Sequence, residues 1–589
     1  MKCNLVNENF RSDYVNNLLR ARGINDIDTF LRPGAECVQS PHDLKNIGMA
    51  AALYLRIVLN DTPPYSRVLI VVDSDCDGFT SASIIYQYTK LVNAHCQIDY
   101  WLHEGKQHGL QDHIDRLLNE DIKYDLVILP DSSSNDAHYH DMLDEINIPC
   151  LILDHHITDV ELSDNAVVVN NQLSPNYKNK ELTGAGVVYQ FCKYIDEKLG
   201  QNWADQFIDL AAWGIIGDMG SVLELENRYI IKTGLSNVQN PLFHYLLERQ
   251  AYSITGKSDP SWDTILSKTN PISVAFYVVP MINALIRVGT MEEKELLFHA
   301  FINGNDLVPC NKRGAKGTLE RACVEAVRVA TNARAHQNKI LDEMMDKVEA
   351  KIFKYDLLEN KVLFLRLEEE KLPSEINGLL AMKLAAKYKR PTIVARLNDE
   401  GFDRGSARGL NQSELKDFKA FLTESGLFEY AQGHANAFGV SIPDANLSKF
   451  HEYANNALKD VNFGEDCYDV NFVRSVNDPD LIRLITEIAE IGGIWGQRNS
   501  EPLIHVVNID VAPEDIRIMG ANKDTLKIVK NGVAYMKFFA KDLIKELSKG
   551  NKFRMDIVGR ANLNEWMGTI TPQIFIDAYD IKPASILDF

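Results

Sequence analysis

Residues 67–81, RVLIVVDSDCDGFTS, determine how the rest of the chain can fold. The apolar run after the arginine has the length and β-branched content expected of a parallel strand that is covered on both faces. It ends at three alternating aspartates, Asp73, Asp75 and Asp77, and a helix is predicted to begin near Thr80. Ligands of open α/β sheets bind at the carboxyl ends of such strands, so this stretch predicts a functional edge.

The three aspartates lie within five residues of one another. Like charges a few Å apart disfavour joint ionisation, and a bound cation removes that repulsion. The alternative for this stretch alone is an Asp-rich turn that caps the following helix. Further ligands at later strand ends decide between the two interpretations.

Three later apolar runs are also followed by ionisable residues. The runs, all interpreted as strand-like, are 124–130 before Asp131, 150–153 before Asp154, His155 and His156, and 211–216 before Gly217 and Asp218. Carboxylate and imidazole ligands together suit Mn²⁺ or Mg²⁺ better than a metal that prefers thiolates, and no cysteine pair has CxxC spacing. A single Asp or His after a strand is more often a cap, but a series of four indicates a divalent-cation site.

At these residues the chain resembles the DHH phosphoesterase superfamily and, more narrowly, the RecJ-type single-strand-specific exonucleases. The matching motifs are Asp73-Ser-Asp75-Cys-Asp77-Gly78, Asp131, Asp154-His155-His156 and Gly217-Asp218. The DHH tripeptide alone is a weak signal, but its position after the Asp triplet, with Asp131 between them, is specific. The resemblance implies hydrolysis of a phosphodiester by two divalent cations, Mn²⁺ or Mg²⁺.

The resemblance also implies a role for each residue of this edge. The metal ligands would be Asp73, Asp75, Asp77, Asp131, His156 and Asp218. Of these, Asp131 and Asp218 would bridge the ions. His155 would contact the scissile phosphate, and Asp154 would orient the imidazoles from behind. The catalytic set would be Asp75, Asp77, Asp131, His155, His156 and Asp218, and no side-chain nucleophile is required.

Composition and charge limit the classes to which the protein can belong. A chain of 589 residues is too long for one core, and 45% hydrophobic with 24% charged residues is typical of globular proteins. The net charge of −20 argues against a protein that coats nucleic acid through bulk electrostatics. Nine cysteines without paired spacing fit a reducing compartment. With neither a membrane-length apolar run nor a secretory leader, the chain is expected to be cytoplasmic.

Followed along the chain, the resemblance predicts an α/β protein of five segments. These are an N-terminal helical lead-in at 1–60, a parallel-sheet DHH catalytic domain at 61–315, a long connecting helix at 316–356, an α/β DHHA1 substrate-binding domain at 357–466, and a C-terminal β-barrel of the OB-fold type at 467–589. The barrel favours an exonuclease, because superfamily members with small substrates usually lack it.

The predicted DHHA1 domain carries the candidate substrate-binding residues Ser406, Arg408, Gly433 and His434. They match the family signatures "GSxR" and "GGHxxAxG", although Gln432 stands where the family usually has glycine. A hydroxyl beside a guanidinium suits a phosphate, and a glycine permits close approach of the backbone. The resemblance places these residues near the terminal nucleotide.

Other passages of the catalytic half match the family less fully. Asn283 and Arg287 match a "PxiNAxGR" passage and are further substrate-binding candidates, although Ile286 replaces the family glycine. After the second predicted strand, His103 stands where the family has an arginine and is expected to be an exposed bystander. The Gly-Ala-Gly sequence at 184–186 is expected to pack a helix closely rather than to bind phosphate.

The C-terminal region combines basic and aromatic residues. Between Lys523 and Arg560 there are ten Lys or Arg residues against four Asp or Glu, together with Tyr535, Phe538 and Phe539. Cations for phosphates and rings for stacked bases are typical of a single-strand-binding barrel. The alternative is a solvated charged face, and binding is favoured.

The predicted activity is exonucleolytic cleavage of single-stranded DNA, 5′ to 3′ by resemblance, with release of mononucleotides in DNA repair or recombination. A helicase or a single-strand-binding protein is a candidate partner, no membrane is expected, and the chain is expected to be a monomer. Two alternatives stay open: a DHH phosphodiesterase for short oligonucleotides or cyclic dinucleotides, and a non-enzymatic replication scaffold. The complete set of predicted metal ligands disfavours the scaffold.

Overall fold

The computed structural model describes residues 1–105, 107–119, 122–158, 161–367, 373, 376–548, 552–566 and 568–583. Its strands are β1 Lys2–Leu5, β2 Arg67–Val72, β3 Gln97–Leu102, β4 Leu126–Pro130, β5 Cys150–Asp154, β6 Ala166–Asn170, β7 Leu307–Pro309, β8 Leu319–Arg321, β9 Leu363–Arg366, β10 Thr392–Leu397, β11 Phe402–Arg408, β12 Tyr430–His434, β13 Ala437–Pro443, β14 Cys467–Val470, β15 Phe472–Ser475, β16 Leu503–Val511, β17 Ile516–Met519, β18 Thr525–Lys530, β19 Val533–Lys537, β20 Phe553–Trp566 and β21 Thr569–Pro583.

Its helices are α1 Tyr14–Ala21, α2 Ile27–Leu31, α3 Ile47–Val58, α4 Cys76–Val92, α5 Ile114–Asn119, α6 Ala137–Glu145, α7 Gly184–Leu199, α8 Ile208–Gly217, α9 Leu225–Ser236, α10 Pro241–Arg249, α11 Ala251–Thr255, α12 Trp262–Lys268, α13 Pro271–Ser273, α14 Val279–Val288, α15 Met291–Asn303, α16 Ala322–Lys354, α17 Asn377–Tyr388, α18 Phe418–Glu424, α19 Leu447–Ala457, α20 Leu481–Glu490 and α21 Lys541–Leu547. A π-helical turn, Val274–Val278, joins α13 to α14.

The chain forms two compact units. The N-terminal unit comprises residues 28–340 with 493–499, and the C-terminal unit comprises residues 1–27, 341–492 and 500–589. The predicted lead-in is therefore shared, since β1 pairs in parallel with β14 of the C-terminal unit. The predicted DHHA1 segment lies in that unit, as does the predicted barrel segment except for residues 493–499. The predicted connecting helix corresponds to α16, whose residues belong to both units.

The N-terminal unit is built on a parallel sheet of order β3-β2-β4-β5-β6. Alternate residues of β2 enter two different cores: Val68, Ile70 and Val72 face one, whereas Leu69 and Val71 face the other. This confirms the prediction of a strand covered on both faces. Because β3 and β4 lie on opposite sides of β2, the chain reverses direction across the sheet between β2 and β4, where ligand sites form.

Two predictions about secondary structure are wrong. The run 211–216, interpreted as a strand, lies in α8, because an apolar segment buried on all sides has the same pattern in either conformation. The helix expected near Thr80 begins at Cys76. Asp75 caps it, since its Oδ1 accepts hydrogen bonds from the backbone N–H groups of Asp77 and Gly78 at 2.9 and 3.2 Å.

One helical stretch of the described chain, Pro271–Val288, is long and apolar enough to cross a membrane by length and composition alone. Over half of it, 56%, is buried inside the protein, as is usual for a core helix of a globular protein. Val274 and Val278 at its centre are fully buried in the N-terminal unit.

The C-terminal unit contains two larger sheets. One has the order β12-β13-β11-β10-β9, with β9 and β10 parallel and the other pairs antiparallel. The second is a mixed sheet of order β15-β16-β20-β21-β19-β18-β17. Its long hairpin, β20–β21, shifts register between Val558 and Gly559, and such bulges bend a sheet as a barrel requires.

Candidate metal centre

The residues predicted to bind metal meet at the carboxyl edge of the parallel sheet. Asp73 follows β2, Asp131 follows β4, Asp154 ends β5 and Asp218 follows the helix α8. Three overlapping sets of side chains bring their ligand atoms within 4.8 Å: Asp73 with Asp75 and Asp131; Asp77 with His155 and Asp218; and Asp131 with Asp154, His155 and His156. Three strand ends and one helix end thus converge where the chain reverses direction across the sheet, between β2 and β4.

His155 lies at the centre of this cluster. Its Nε2 is 3.1 Å from Asp131 Oδ1, 3.5 Å from Asp218 Oδ2 and 3.9 Å from Asp77 Oδ2. Both Asp131 Oδ1 and His155 Nε2 are buried and make no hydrogen bond among the described residues. The 3.1 Å contact between these two atoms requires either a proton on the imidazole or a cation that both atoms bind, because buried polar atoms left without either are costly.

Asp154 holds the histidine pair from behind. Its buried carboxylate accepts hydrogen bonds from the backbone N–H groups of His155, His156 and Ser134 at 2.7, 3.2 and 3.0 Å, and from His156 Nδ1 at 2.8 Å. Although burial opposes ionisation, the His156 charge and these bonds lower the pKa of Asp154. Burial also opposes the positive charge of His156, but the charge and the hydrogen bond of Asp154 raise the pKa of His156 to about 10. These contacts are those an orienting residue requires.

The start of α7 binds the carboxylate of Asp77. Thr183 Oγ1 donates a hydrogen bond at 3.0 Å, and the backbone N–H groups of Gly184 and Ala185 donate at 2.7 and 3.0 Å. A Cβ on Gly184 would lie 2.3 Å from Asp131 Oδ1, and one on Gly214 would lie 2.3 Å from Asp77 Oδ1. The Gly-Ala-Gly sequence therefore presents a positive helix end to a carboxylate of the same chain.

His108 is part of the site, and sequence reasoning gave it no role. Its Nδ1 lies 2.7 and 2.8 Å from the two oxygens of the buried Asp73 carboxylate. The loop that carries it is fixed by Asp136, which accepts hydrogen bonds from Leu110 N and Ser133 Oγ at 2.9 and 2.6 Å. The available signal was the His-Gly turn, which follows β3 at the same edge of the sheet.

His103 is buried, so its prediction as an exposed bystander is wrong. It is 2% exposed, and its ring lies 4.5 Å from that of His113 between centroids. Burial lowers the pKa of His103 to about 3. Lys294 extends over the same region and donates its Nζ to the carbonyl oxygens of His103 and Glu104. This histidine therefore belongs to the packing behind the edge.

Three residues at or beside the cluster have a strained backbone. Asp131, Ser133 and Met219 have φ values of 66°, 77° and 63°, in the left-handed region that residues other than glycine seldom adopt. Asp131 is held there by its N–H, which donates to the carbonyl of Leu153 at 2.8 Å. Such strain persists only where the surroundings enforce it, and it is common at functional sites.

The electrostatics of the cluster fit a divalent cation. Burial first, and then the neighbouring carboxylates, raise the pKa of Asp131 well above its usual range. Burial likewise raises the pKa of Asp73, and that of Asp77 to about 6. Oxygen ligands with imidazole suit Mn²⁺ or Mg²⁺. The neighbouring Cys76 is not a suitable thiolate ligand, because burial raises its pKa.

Asn283 supports the cluster from α14. Its side-chain Oδ1 accepts a hydrogen bond of 3.1 Å from the backbone N–H of Cys76, between Asp75 and Asp77. In the structure Asn283 therefore binds the backbone of the segment 73–77 that carries the three aspartates. The sequence predicted a contact with substrate for this residue. Arg287 lies one turn further along the same helix and is half-buried.

Three of the candidate substrate-binding residues of the C-terminal unit, Ser406, Arg408 and His434, share one face of its five-stranded sheet. Arg408 of β11 and His434 of β12 both pair with Ala437 of β13, and Ser406 pairs with Gly439 of the same strand. Residues directly opposite one another point to the same side, so the small residues of β13 leave a gap between the flanking side chains. Gly433 has φ 131° and pairs with Phe438.

Four of the ten basic residues counted in the barrel region have partners within the protein. Lys530 pairs with Asp515, Arg554 with Asp510, and Arg560 with Glu501 and Asp577. Lys537 donates to two backbone carbonyls. Of the three rings, Tyr535 is buried, whereas Phe538 and Phe539 are 50% and 89% exposed. The two phenylalanines are therefore the stronger candidates for base stacking.

Comparison with known proteins identifies two family models in the chain. The DHH family N-terminal domain matches residues 67–215, and the RecJ OB domain matches residues 478–578. The SPbeta prophage protein YorK of Bacillus subtilis strain 168, named provisionally as a single-strand-DNA-specific exonuclease, is 36% identical over 98% of this chain and 97% of its own length. The single-stranded-DNA-specific exonuclease RecJ of the same strain is 25% identical over 98% of this chain and 69% of its own length.

Solved structures agree on the fold. The crystal structure of RecJ from Thermus thermophilus in complex with Mn²⁺ superimposes with a TM-score of 0.69 at 20% identity, covering 96% of this chain and 75% of that one. The same protein in complex with Mg²⁺ gives a TM-score of 0.62.

Proposed function

Since this chain belongs to the RecJ-type single-strand-DNA-specific exonucleases of the DHH superfamily, we propose that it degrades single-stranded DNA from an end in a metal-dependent hydrolysis. Full-length similarity at 36% identity supports the assignment. The observation that carries it is the convergence of Asp131, His155 and Asp218 at the sheet edge, where the buried atoms Asp131 Oδ1 and His155 Nε2 lie 3.1 Å apart and neither makes a hydrogen bond among the described residues.

The residues that would hold divalent cations are those predicted from the sequence. They are Asp73, Asp75, Asp77, Asp131, His156 and Asp218, with Asp131 and Asp218 shared between two ions. When bound, a pair of divalent cations activates a water molecule and stabilises negative charge on the leaving oxygen of a phosphodiester. His155, which lies between Asp131 and Asp218, is proposed to contact the scissile phosphate.

The remaining contacts orient these ligands. Asp154 fixes the ring of His156 through Nδ1 and leaves Nε2 for a ligand. The start of α7 fixes the carboxylate of Asp77, and His108 fixes that of Asp73. Because these partners are already in place, the carboxylates need little rearrangement when a cation and a phosphate arrive.

Substrate recognition is proposed to involve Ser406, Arg408, Gly433 and His434 together with Arg287. The shared sheet face supports Ser406, Arg408 and His434, since it presents a hydroxyl, a guanidinium and an imidazole around small residues, and Gly433 is the neighbour of His434 in β12. By family resemblance, cleavage runs 5′ to 3′ and releases mononucleotides during DNA repair or recombination. The chain is proposed to act as a monomer, with a helicase or a single-strand-binding protein as partner.

A direct assay tests this function. The full chain is incubated with single strands labelled at the 5′ or the 3′ end, and with the matching duplex, in Mn²⁺ and in Mg²⁺. Rapid release of labelled mononucleotide from the 5′ end of the single strand is expected, with little release from the duplex. Asp131→Asn should reduce the rate by at least about 100-fold while the thermal midpoint is retained. Full activity of this variant would contradict the site assignment.

The same assay separates the alternative substrates. A dinucleotide and a cyclic dinucleotide are offered beside the single strand at equal concentration. Faster hydrolysis of either small substrate would replace the exonuclease proposal with a small-substrate phosphodiesterase.

A further inference from the structure

The hairpin β7–β8 carries a group of cations that the proposed chemistry does not use. Lys312, Arg313 and Lys316 lie in its loop and are exposed. Between residues 307 and 319 the sequence has no Asp or Glu. Within the described part of the chain, no carboxylate pairs with these three side chains. In a chain of net charge −20 such a local cationic group is unusual.

The loop is held in a defined shape. Two successive turns close it, with Ala315 N donating to Lys312 O at 3.0 Å and Thr318 N donating to Ala315 O at 3.1 Å. At the neck, Cys310 N donates to Thr318 O at 2.7 Å. The three cations are therefore presented together on a short rigid loop.

The base of the hairpin is anchored by a buried carboxylate. Glu325 of α16 is 1% exposed and accepts a hydrogen bond from Asn311 N at 2.9 Å. Its charge is neutralised by Arg328, which donates through Nε and Nη2 at 2.8 and 2.6 Å. Glu320, the nearest other carboxylate in sequence, accepts from the backbone N–H of Arg321. Neither Glu325 nor Glu320 therefore neutralises the positive charge of the loop.

The hairpin emerges far from the metal centre within the N-terminal unit. Helices α4 and α15 run side by side away from the sheet edge. Asp75 at the edge caps α4, and Lys294 of α15 contacts His103, which follows β3 at the same edge. Gln87 of α4 donates to Phe301 O near the end of α15 at 3.4 Å. Twelve residues of helix separate Asp75 from Gln87, which corresponds to about 18 Å. The chain enters β7 shortly after that point.

We propose that the loop 311–318 is a second contact for the DNA backbone, remote from the metal centre, which binds phosphates of the same single strand through Lys312, Arg313 and Lys316. The proposal rests on the proposed function. It predicts that the loop contributes to the binding of long strands without taking part in hydrolysis.

Nucleic acid fits this loop better than an acidic protein segment does. Protein interfaces depend on a few buried aromatic or aliphatic side chains, whereas the apolar residue among these cations is Ala315. The exposed leucines of the hairpin, Leu307 and Leu319, lie on its strands behind the loop. Phosphate recognition requires cations alone and carries no sequence preference.

The experiment measures the salt dependence of binding. The full chain, in buffer with chelator so that no hydrolysis occurs, is titrated against a long labelled homopolymeric single strand at several salt concentrations. The triple variant Lys312→Gln, Arg313→Gln, Lys316→Gln should lower the slope of log K against log salt by about 2, since each lost phosphate contact contributes about 0.7. At about 0.1 M salt its affinity should be up to about 100-fold weaker.

A matched control removes the same charge elsewhere in the N-terminal unit. Lys232, Lys257 and Lys268 are exposed, and the triple Lys232→Gln, Lys257→Gln, Lys268→Gln should leave the slope close to that of the native chain. Metal-supported hydrolysis of a short oligonucleotide should be unchanged in both triples, whereas hydrolysis of a long strand should slow in the loop variant. If the loop triple is unstable, Lys316→Gln alone should lower the slope by about 0.7.

The outcomes separate the two proposals. Equal slopes for the loop triple and the control triple overturn the loop contact, even if the native chain degrades single strands. Competition by polyglutamate but not by a single strand would assign the loop to an acidic protein partner and also overturn it. A native chain that neither binds nor degrades single strands would instead refute the proposed function itself.

Discussion

His108 illustrates how a single residue of the site escaped prediction. Its partner Asp73 is 35 residues away in the sequence, and the sequence signal for His108 was limited to a His-Gly turn after the second predicted strand. Asp73, by contrast, was identified because three alternating aspartates end a buried strand. Local patterns thus predicted the candidate ligands, while the residues that orient them become visible only when β2 and β3 lie side by side.

Loss of the His108 side chain should weaken metal binding rather than folding. His108→Gln is expected to raise the Mn²⁺ concentration needed for half-maximal nuclease activity by about 10- to 100-fold, as is usual when a partner of a metal ligand is removed. The measurement is a Mn²⁺ titration of activity. His336→Gln, at an exposed position of α16, serves as the control and should leave the titration unchanged. An unaltered Mn²⁺ requirement in His108→Gln would show that the contact with Asp73 is incidental.

His103 should make the N-terminal unit sensitive to acid. Burial and the neighbouring His113, His108 and Lys294 lower its pKa to about 3, so the folded protein keeps it neutral, while the unfolded chain binds a proton below about pH 6.5. Stability from this residue is therefore complete above pH 6.5 and is lost as the pH falls. Between pH 7 and pH 5 the loss is about 2 kcal/mol.

The variant His103→Phe tests that loss. The difference in unfolding free energy between pH 7 and pH 5, measured by urea denaturation, should shrink by about 2 kcal/mol relative to the native chain. His336→Phe is the control and should keep the native pH dependence. An identical pH dependence in His103→Phe and the native chain would mean that His103 titrates normally in the folded protein.

Among the elements, helix starts explain both the successes and the failures of sequence reasoning. The sequence favoured a metal site over a helix cap for Asp75, and the structure gives it both positions, since its Oδ1 caps α4 while its carboxylate lies near Asp73 and Asp131. Helix α8 was missed because a short apolar run buried on all sides has no period to read. The edge that these elements form was nevertheless predicted correctly, because Asp218 follows the run in either conformation.

The start of α7 provides an element-scale prediction. A methyl group on Gly184 would lie 2.3 Å from Asp131 Oδ1, so Gly184→Ala must displace either the helix start or the carboxylate. We expect nuclease activity to fall by at least about 100-fold, because misplacement by about 1 Å is enough for a loss of that size. Single-strand binding in chelator should be retained.

A glycine substitution of the same kind supplies the control. A methyl group on Gly48 of α3 would meet only Tyr194 Oη, at 3.4 Å, so Gly48→Ala should preserve activity. Activity of Gly184→Ala within a few fold of Gly48→Ala would show that the α7 start does not position the aspartates.

For the whole molecule, the distribution of charge matters more than its total. The net charge of −20 opposes DNA binding, and the six carboxylates of the candidate metal centre are only a small part of the 82 Asp and Glu residues, so a strand must be bound where cations are locally exposed. Three cations of the barrel, Lys530, Arg554 and Arg560, are paired with its own carboxylates, whereas the three cations of the hairpin loop are exposed. Counting Lys and Arg along the sequence favoured the barrel because the sequence does not show which cations have partners.

The course of the chain gives the last prediction. Residues 493–499 leave the C-terminal unit and pack in the N-terminal one, where Gln497 O accepts a hydrogen bond from Val222 N at 3.1 Å and Arg498 pairs with Glu181 at 3.0 Å. The predicted barrel segment, which begins at residue 467, includes residues 493–499. A segment of seven residues has no compositional signal that would assign it to another unit. A deletion from residue 467 would therefore remove part of the unit that holds the metal centre.

A substitution at Gly496 isolates this insertion without a deletion. A Cβ there would lie 2.9 Å from Val222 Cγ1 and 3.3 Å from Pro271 Cβ, so Gly496→Val should destabilise the N-terminal unit by about 1–3 kcal/mol through overpacking. Thermal unfolding monitored by loss of activity on a short oligonucleotide should therefore shift to lower temperature. Gly493→Val, where a Cβ has open space around it, should shift the curve much less. Equal shifts would mean that residues 493–499 are not part of the folded core around the metal centre, and deletion of the barrel would then be a valid test of strand binding.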